Sequence, residues 1–455
     1  MSQRIAIPAF FWSGLGLLAL AGCGGGSDPP VAAAPTIATQ PAGVSVTQGQ
    51  AAAFTVAAAG TDLSYQWRRA GADVAGATAA GYSIAAAALA DNGAAFNVRV
   101  CTGPQANNAC VVSSDAALTV NPVVIVLNAT QLAGTPGAVG IADGSGAAAR
   151  FNTANYLAVN ATGTLYVGDF NNHTIRAITP AGAVSTLAGS PGGAGYADGS
   201  GAAARFRGNG GLAVNNAGDI FVADWDNFVV RRISPAGVVT TFVGTAGASG
   251  SLDGNGAAAR FSNPNGLAID AAGNLFLGDW GNHTVRRITP AGVVSTLAGT
   301  PGAPGSADGT GAAARFNQPN GVAVDSAGNV YVSDTGNHTI RRITPAGVVT
   351  TLAGQAGAAG HTDGSGSAAR LNQPAWLSAS PSGDLFFTSG AGSTVRKLTS
   401  AGVVTTVVGV VDGGPNPAVV LGANPRLRNA RGVLALSSNQ LVVVADNAVL
   451  NVTVP

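Results

Sequence analysis

The stretch "DGSGAAARF" runs from Asp143 to Phe151. It returns at Asp198 to Phe206, Asp253 to Phe261, Asp308 to Phe316 and, more loosely, Asp363 to Leu371. Glycines beside an acid and an arginine are the parts of a phosphate cradle or a metal loop. A phosphate site needs one such loop with a helix behind it, and an EF-hand-type calcium loop needs more acids than the single Asp of each copy. The repetition points to architecture instead: Gly supplies a turn, three Ala a short helical turn or tight packing, and Phe a core side chain. Asp and Arg are placed to pair within the loop or across to a neighbour.

Three further series could do chemistry: Asp169, Asp224, Asp279 and Asp334; His173, His283 and His338; and Arg176, Arg231, Arg286, Arg341 and Arg396. Asp and His are general acids, bases and metal ligands, and an Arg row is a belt for an acidic polymer. A residue that recurs in every repeat cannot mark one site, so Asp is read as a turn cap, His as a hydrogen bond between strands and Arg as a fixed ion pair or a solvated strand edge. The remaining His361 is too little for a His-rich metal site, and neither a metal, a cofactor nor a catalytic group is expected. Function is sought where the copies differ. Phe170, Trp225 and Trp280 follow the first three Asp, whereas Thr335, Gly390 and Asn447 hold the corresponding later positions. Exposed aromatics stack on sugar rings or anchor peptides, which makes these three the candidate ligand-binding residues. The fifth copy departs in Ser389, Ser393, Trp376 and His361, read as drift rather than as a site.

The elements that position these residues follow from the period. The turn glycines Gly182, Gly237, Gly292, Gly347 and Gly402 stand 55 residues apart. One unit, "PNGVAVDSAGNVYVSDTGNHTIRRITPAGVVTTLAG" from Pro319 to Gly354, holds four short β runs separated by turns. Such a sheet cannot bury both faces alone, and its repetition predicts a β-propeller. "GNHTIRRI" and "SDTGNHTI" resemble the NHL repeat, with Thr where the signature has Leu; the resemblance spans about Val123 to Pro455. First-strand matches near Tyr156, Gly211, Gly266, Gly321, Trp376 and Gly432 predict six blades. The last blade lacks an outer strand, which the stretch 123–134 is expected to supply, closing the ring and removing an open edge. Two enzyme families resemble this architecture, calcium-dependent lactonases and zinc-dependent amidating lyases. The first implies a Glu ligand and the second axial His, and this chain has no Glu while its His follow the repeat. A metal-dependent propeller hydrolase or lyase remains the alternative function, a purely structural module the third.

At the N-terminus Arg4 precedes an apolar run too short to span a membrane but suited to a signal peptide. "LAGC", Leu20 to Cys23, resembles a lipobox, which implies cleavage after residue 22, lipidation of Cys23 and, with Gly24 next, sorting to the outer membrane. Residues 23–33 read as a flexible tether. Removing Cys23 leaves Cys101 and Cys110, an even pair in an oxidising compartment and so a local disulfide. Short alternating strands over 34–121 suggest a β-sandwich that resembles an immunoglobulin-like domain, with Trp67 as its buried Trp and Phe96 in place of the corner Tyr. Residues 122–455 form the propeller.

Composition agrees with an all-β chain: all 21 acids are Asp, Lys397 is the only Lys, and 66 Gly accompany many Val and Thr. A net charge of +1 offers no basic excess for nucleic acid or an anionic membrane surface. The resulting expectation is a lipid-anchored cell-envelope protein that touches the membrane through its anchor only and uses a propeller face to bind an envelope protein or a glycan.

Overall fold

The computed structural model describes residues 33–102, 109–121, 127–389, 394–409, 419–423 and 425–455. The expected signal peptide, Cys23, most of the tether, Gly390 and Ser393 lie outside the described residues. The chain divides into two compact units, Met1–Val124 and Ile125–Pro455. Every helical segment among the described residues is a three-residue 3-10 turn, so the fold is all-β.

In the first unit, strands Val44–Thr47, Ala116–Asn121, Ala95–Thr102, Leu63–Arg69 and Ala72–Asp73 hydrogen-bond in that order, with Ala109–Val112 also on Ala95–Thr102. Two smaller ladders join Thr36–Thr39 to Ala57–Ala59 and Ala52–Thr55 to Gly81–Ile84. Alternating side chains turn inward onto Trp67, Phe54 and Phe96, all fully buried. The rings of Phe54 and Phe96 stack with centroids 4.8 Å apart. The Trp67 indole N–H donates to Ala79 O at 3.0 Å, which satisfies the one polar atom this ring brings into the core. Cys101 and Cys110 face each other across their strands and form the disulfide.

The second unit is a β-propeller. Among the described residues it contains five sheets of five strands and one of four. In the fourth sheet the strands run Pro319–Val324, Val330–Asp334, Thr339–Ile343 and Val348–Gly354. The first hairpin is set by Asp325, whose Oδ1 accepts from the backbone N–H of Ala327 at 3.0 Å and of Asn329 at 2.8 Å. A four-stranded blade was expected; the fifth strand is Gly309–Thr310 of the "DGTG" segment, which adds to the outer edge opposite Val348 and Val349. The same addition occurs in five sheets because each recurrent loop lies along the outer strand of the sheet it leads into. In the sixth sheet the outer strand is Asn128–Gly134, antiparallel to the C-terminal Ala448–Thr453, so the ends of this unit share one sheet.

Each sheet buries its apolar face against the next. Phe276 and Val285 of the third sheet cluster with Phe316, Val322, Val332 and Ile343 of the fourth. Phe151, Phe206, Phe261 and Phe316 are fully buried where the recurrent loops end, as expected for Phe in that motif. The inner strands meet in cyclic order, from Ala154–Val159 through Asn209–Val214, Pro264–Ile269, Pro319–Val324 and Leu377–Ala379 to Ala430–Ala435, which returns to the first. Glycine is required at this contact: a Cβ on Gly266 would overlap the carbonyl oxygen of Asn320 in the neighbouring strand.

Candidate functional site

The recurrent charged residues form one arrangement per sheet. In the third sheet Asp279, fully buried, accepts from Ser262 N–H at 2.8 Å, Asn282 Nδ2 at 2.7 Å and Arg286 Nη1 at 2.8 Å. Arg286, also fully buried, donates through Nη2 to Asp253 at 2.6 Å and Leu252 O at 2.9 Å. Its guanidinium carbon lies 5.2 Å from the Phe261 ring centre. The same ion pairs recur at Arg176, Arg231 and Arg341. In the fifth sheet Ser389 replaces Asp and Arg396 keeps Asp363 at 2.7 Å. Burial pushes the carboxyls of Asp224, Asp279 and Asp334 up to about 6, against the opposing pull of Arg, Asn and a backbone N–H. These residues anchor the recurrent loop to the sheet.

Pairing of Asp with Arg inside the recurrent loop is not what forms. Arg260 folds onto Ala257 O at 2.6 Å and Ala259 O at 2.7 Å, covering the exposed end of the 3-10 turn Gly256–Ala258. Asp253 instead meets Arg286, because the loop lies along the outer strand with its Asp over the strand that carries that Arg. Two of the three repeated histidines act between sheets, His283 Nδ1 accepting from Gln318 N–H at 3.1 Å and His338 Nδ1 from Gln373 N–H at 3.0 Å, whereas His173 Nδ1 has no hydrogen-bond partner among the described residues. His283 sits in the left-handed region at φ 59°, and burial lowers its pKa. Among the described residues no three His, Cys or Asp are grouped to hold a metal ion.

The repeat breaks at one mouth of the axis. At the glycine position of the inner strand the first sheet has Tyr156 and the fifth Trp376. The Tyr156 hydroxyl reaches across to Asn265 Oδ1 at 2.8 Å and Asn320 Oδ1 at 2.6 Å, amides of the third and fourth sheets. A phenol has one proton to give, so one of these amides turns its NH2 toward the phenol oxygen. Burial raises the Tyr156 pKa far above the ordinary phenol value and keeps it neutral. On the inner side of Tyr156 lies an apolar channel of about 210 Å³ lined by all the inner strands, from Leu157 to Leu434.

On the outer side opens a cavity of about 320 Å³ with walls of Tyr156, Phe170, Trp225 and Trp376. Polar groups come from Thr153, Asn155, Asn171, Asn265 and Arg431. The Tyr156 and Trp376 rings meet edge to face at 5.8 Å. Phe170 and Trp225 are half-buried residues on the 3-10 turns Phe170–Asn172 and Trp225–Asn227. Gly208 separates them at φ 79°, where a Cβ would stand 3.3 Å from Trp225 Cβ. Trp280 does not line this cavity; its ring backs Trp225 at 5.3 Å. In the fourth sheet the equivalent Thr335 donates to Pro374 O at 2.6 Å, a link to the next sheet. Trp376, grouped by sequence with drift in the fifth copy, is part of the wall. Tyr156, Asn155, Asn265 and Arg431 were not singled out as site residues; the signal was present in the glycine position, which two aromatics break.

The NHL repeat model matches residues 261–288 and 316–343. The chain carries NHL repeats on a β-propeller. Each match begins at the Phe of a recurrent loop and ends at the Ile after the buried Arg. NHL repeat-containing protein 2 of Bos taurus is 34% identical over 132 residues, covering 27% of this chain and 18% of that protein. Protein SUPPRESSOR OF QUENCHING 1, chloroplastic, of Arabidopsis thaliana is 29% identical over 290 residues, covering 58% of this chain and 26% of that protein. The chain thus spans at most about a quarter of the length of these relatives. A Bacteroides thetaiotaomicron protein of unknown function superposes with TM-score 0.61 at 18% identity, over 94% of this chain and 99% of its own. An auxiliary nutrient binding protein of the same species gives TM-score 0.56 at 15% identity, with the same coverage. At these identities the likeness is one of fold.

Proposed function

We propose that this is a lipid-anchored cell-envelope protein whose six-bladed NHL propeller binds a glycan or envelope-protein ligand at the aromatic mouth of its axis. The observation that carries the reading is the axial cavity, where Phe170 and Trp225 of the aromatic arc converge with Tyr156 and Trp376 while the rest of the ring keeps its repeat. A pocket of aromatic faces with a few polar groups is the general form of a small-ligand site, and about 320 Å³ suits one sugar ring or one anchoring side chain. Solved propellers of similar fold named as auxiliary nutrient binding proteins support a binding role. Six blades are supported by the cyclic contacts of the inner strands. The order of strands about Trp67 supports an immunoglobulin-like first domain. The "LAGC" motif supports the anchor and an outer-membrane location, with Cys23 as the lipid attachment residue.

The test is binding of the full chain to envelope glycans and envelope proteins, compared with Trp225→Ala and with Phe170, Trp225 and Trp280 all changed to Ala. A buried aromatic anchor is worth roughly 2 kcal/mol or more, so Trp225→Ala is expected to weaken binding about thirtyfold. Unchanged binding by the triple variant would make the aromatic mouth mere covering and remove the proposal.

A further inference from the structure

Among the described residues the axial cavity has one charged side chain in its wall, and it is a cation. Arg431 lies at the start of the last inner strand with its guanidinium carbon 6.0 Å from the Trp376 ring centre. It makes no hydrogen bond or ion pair among the described residues. The repeated Arg176, Arg231, Arg286, Arg341 and Arg396 all have Asp partners, so Arg431 stands apart. Beside it the indole N–H of Trp376 is buried without a partner. Among the described residues no carboxylate lines the cavity.

A cation in the wall with no ion pair leaves that wall an incomplete site. Arg431 is half-buried, and this partial burial without a counter-ion lowers its pKa. An anion entering from solvent would supply the missing partner through charge-assisted hydrogen bonds. The remaining wall is unsuited to an inorganic ion, which has no use for flat apolar faces. Trp225 and Phe170 offer surfaces for the C–H face of a pyranose, and the exposed amide of Asn171 offers a partner for a ring hydroxyl, whereas Asn155 and Asn265 are already bonded within the protein.

We propose that the axial cavity is a site for an acidic sugar, a hexuronate whose carboxylate docks on Arg431 and whose pyranose ring packs on the aromatic wall. This rests on the ligand-binding reading above and names its ligand class. A single pyranose matches about 320 Å³, so the unit recognised is one sugar acid, free or at the end of a chain.

Calorimetric titration of the full chain with glucuronate, glucose and benzoate tests it. Glucuronate is expected to bind about tenfold or more tightly than glucose, the effect of one charge-assisted pair. Arg431→Gln should reduce glucuronate to the level of glucose, and Trp225→Ala, which removes part of the aromatic wall and no charge, should weaken glucuronate and glucose alike. Both variants should melt like the parent, which separates lost recognition from lost folding. Equal binding of glucose and glucuronate, or an Arg431→Gln variant that still prefers the acid, overturns the acidic class. Benzoate binding as tightly as glucuronate overturns the sugar. If none of the three binds while Trp225→Ala still abolishes capture of an envelope ligand, this proposal fails and the broader binding reading stands.

Discussion

The fifth sheet is a natural version of an experiment on the buried ion pairs. There Ser389 occupies the Asp position, yet Arg396 stays fully buried with Asp363 at 2.7 Å and the carbonyls of Arg370 and Thr362 at 2.7 and 3.0 Å. Ser389 Oγ still accepts from Asn372 N–H at 3.2 Å. Asp279→Ser in the third sheet should therefore keep a partner for Ser262 N–H and lose those of Asn282 Nδ2 and Arg286 Nη1. Arg286 Nη1 retains Arg260 O at 3.1 Å, and Asp253 still balances the charge. Relief of carboxylate desolvation offsets part of the loss, so the net cost is about 2 kcal/mol. Asp279→Leu also takes the partner of Ser262 N–H and sets an apolar side chain against Arg286 and Asn282, at about 4 to 5 kcal/mol. Denaturant unfolding of the full chain, followed by tryptophan fluorescence, measures the difference. Equal costs for Ser and Leu would refute the reasoning, since the carboxylate would then matter only as volume.

Two further outcomes are expected. Cys101→Ser should lower the stability of the first unit by about 2 to 3 kcal/mol in non-reducing conditions and leave it unchanged in reductant, since the bridge spans a sequence separation of 9. His283 accepts at Nδ1, and its pKa is lowered in the fold, so its contribution is present above the unfolded His value of about 6.5 and fades as pH falls below it. Asp224, Asp279 and Asp334, raised to about 6, act in the opposite sense over the same range. The measurement is therefore the difference between parent and His283→Asn, which suits φ 59° and does not titrate; melting of the parent should lose ground to the variant from pH 7 to 5.

The periodic part of the fold was legible because each sheet repeats the same local chemistry. Turn residues such as Asp325 cap the hairpin that follows them, and Phe316 enters the core next to its own loop. What escaped was pairing set by the outer strand along which the loop lies. Asp253 and Arg260 are neighbours in sequence, yet Asp253 joins Arg286, 33 residues away, while Arg260 satisfies carbonyls at the end of its own turn. The aromatic arc was visible as composition, but only distances across the axis divide it. Phe170 and Trp225 line the cavity, and Trp280 supports Trp225 from behind.

The site itself follows from how a ring of repeats tolerates exceptions. A Cβ at Gly266 or Gly321 would collide with the backbone of the next inner strand, so those positions hold the sheets together by lacking a side chain. Tyr156 and Trp376 occupy the equivalent positions, and their rings occupy the axial mouth instead. Tyr156 replaces that close contact with hydrogen bonds to Asn265 and Asn320 across the axis, which returns cohesion to the ring and floors the cavity at once. Asymmetry at the axis thus carries no large structural penalty, because the residue that breaks the repeat also bridges it. Arg431, which does not bridge, stacks on Trp376 and keeps a charge with no ion-pair partner among the described residues, which is why the proposed acidic ligand is placed there.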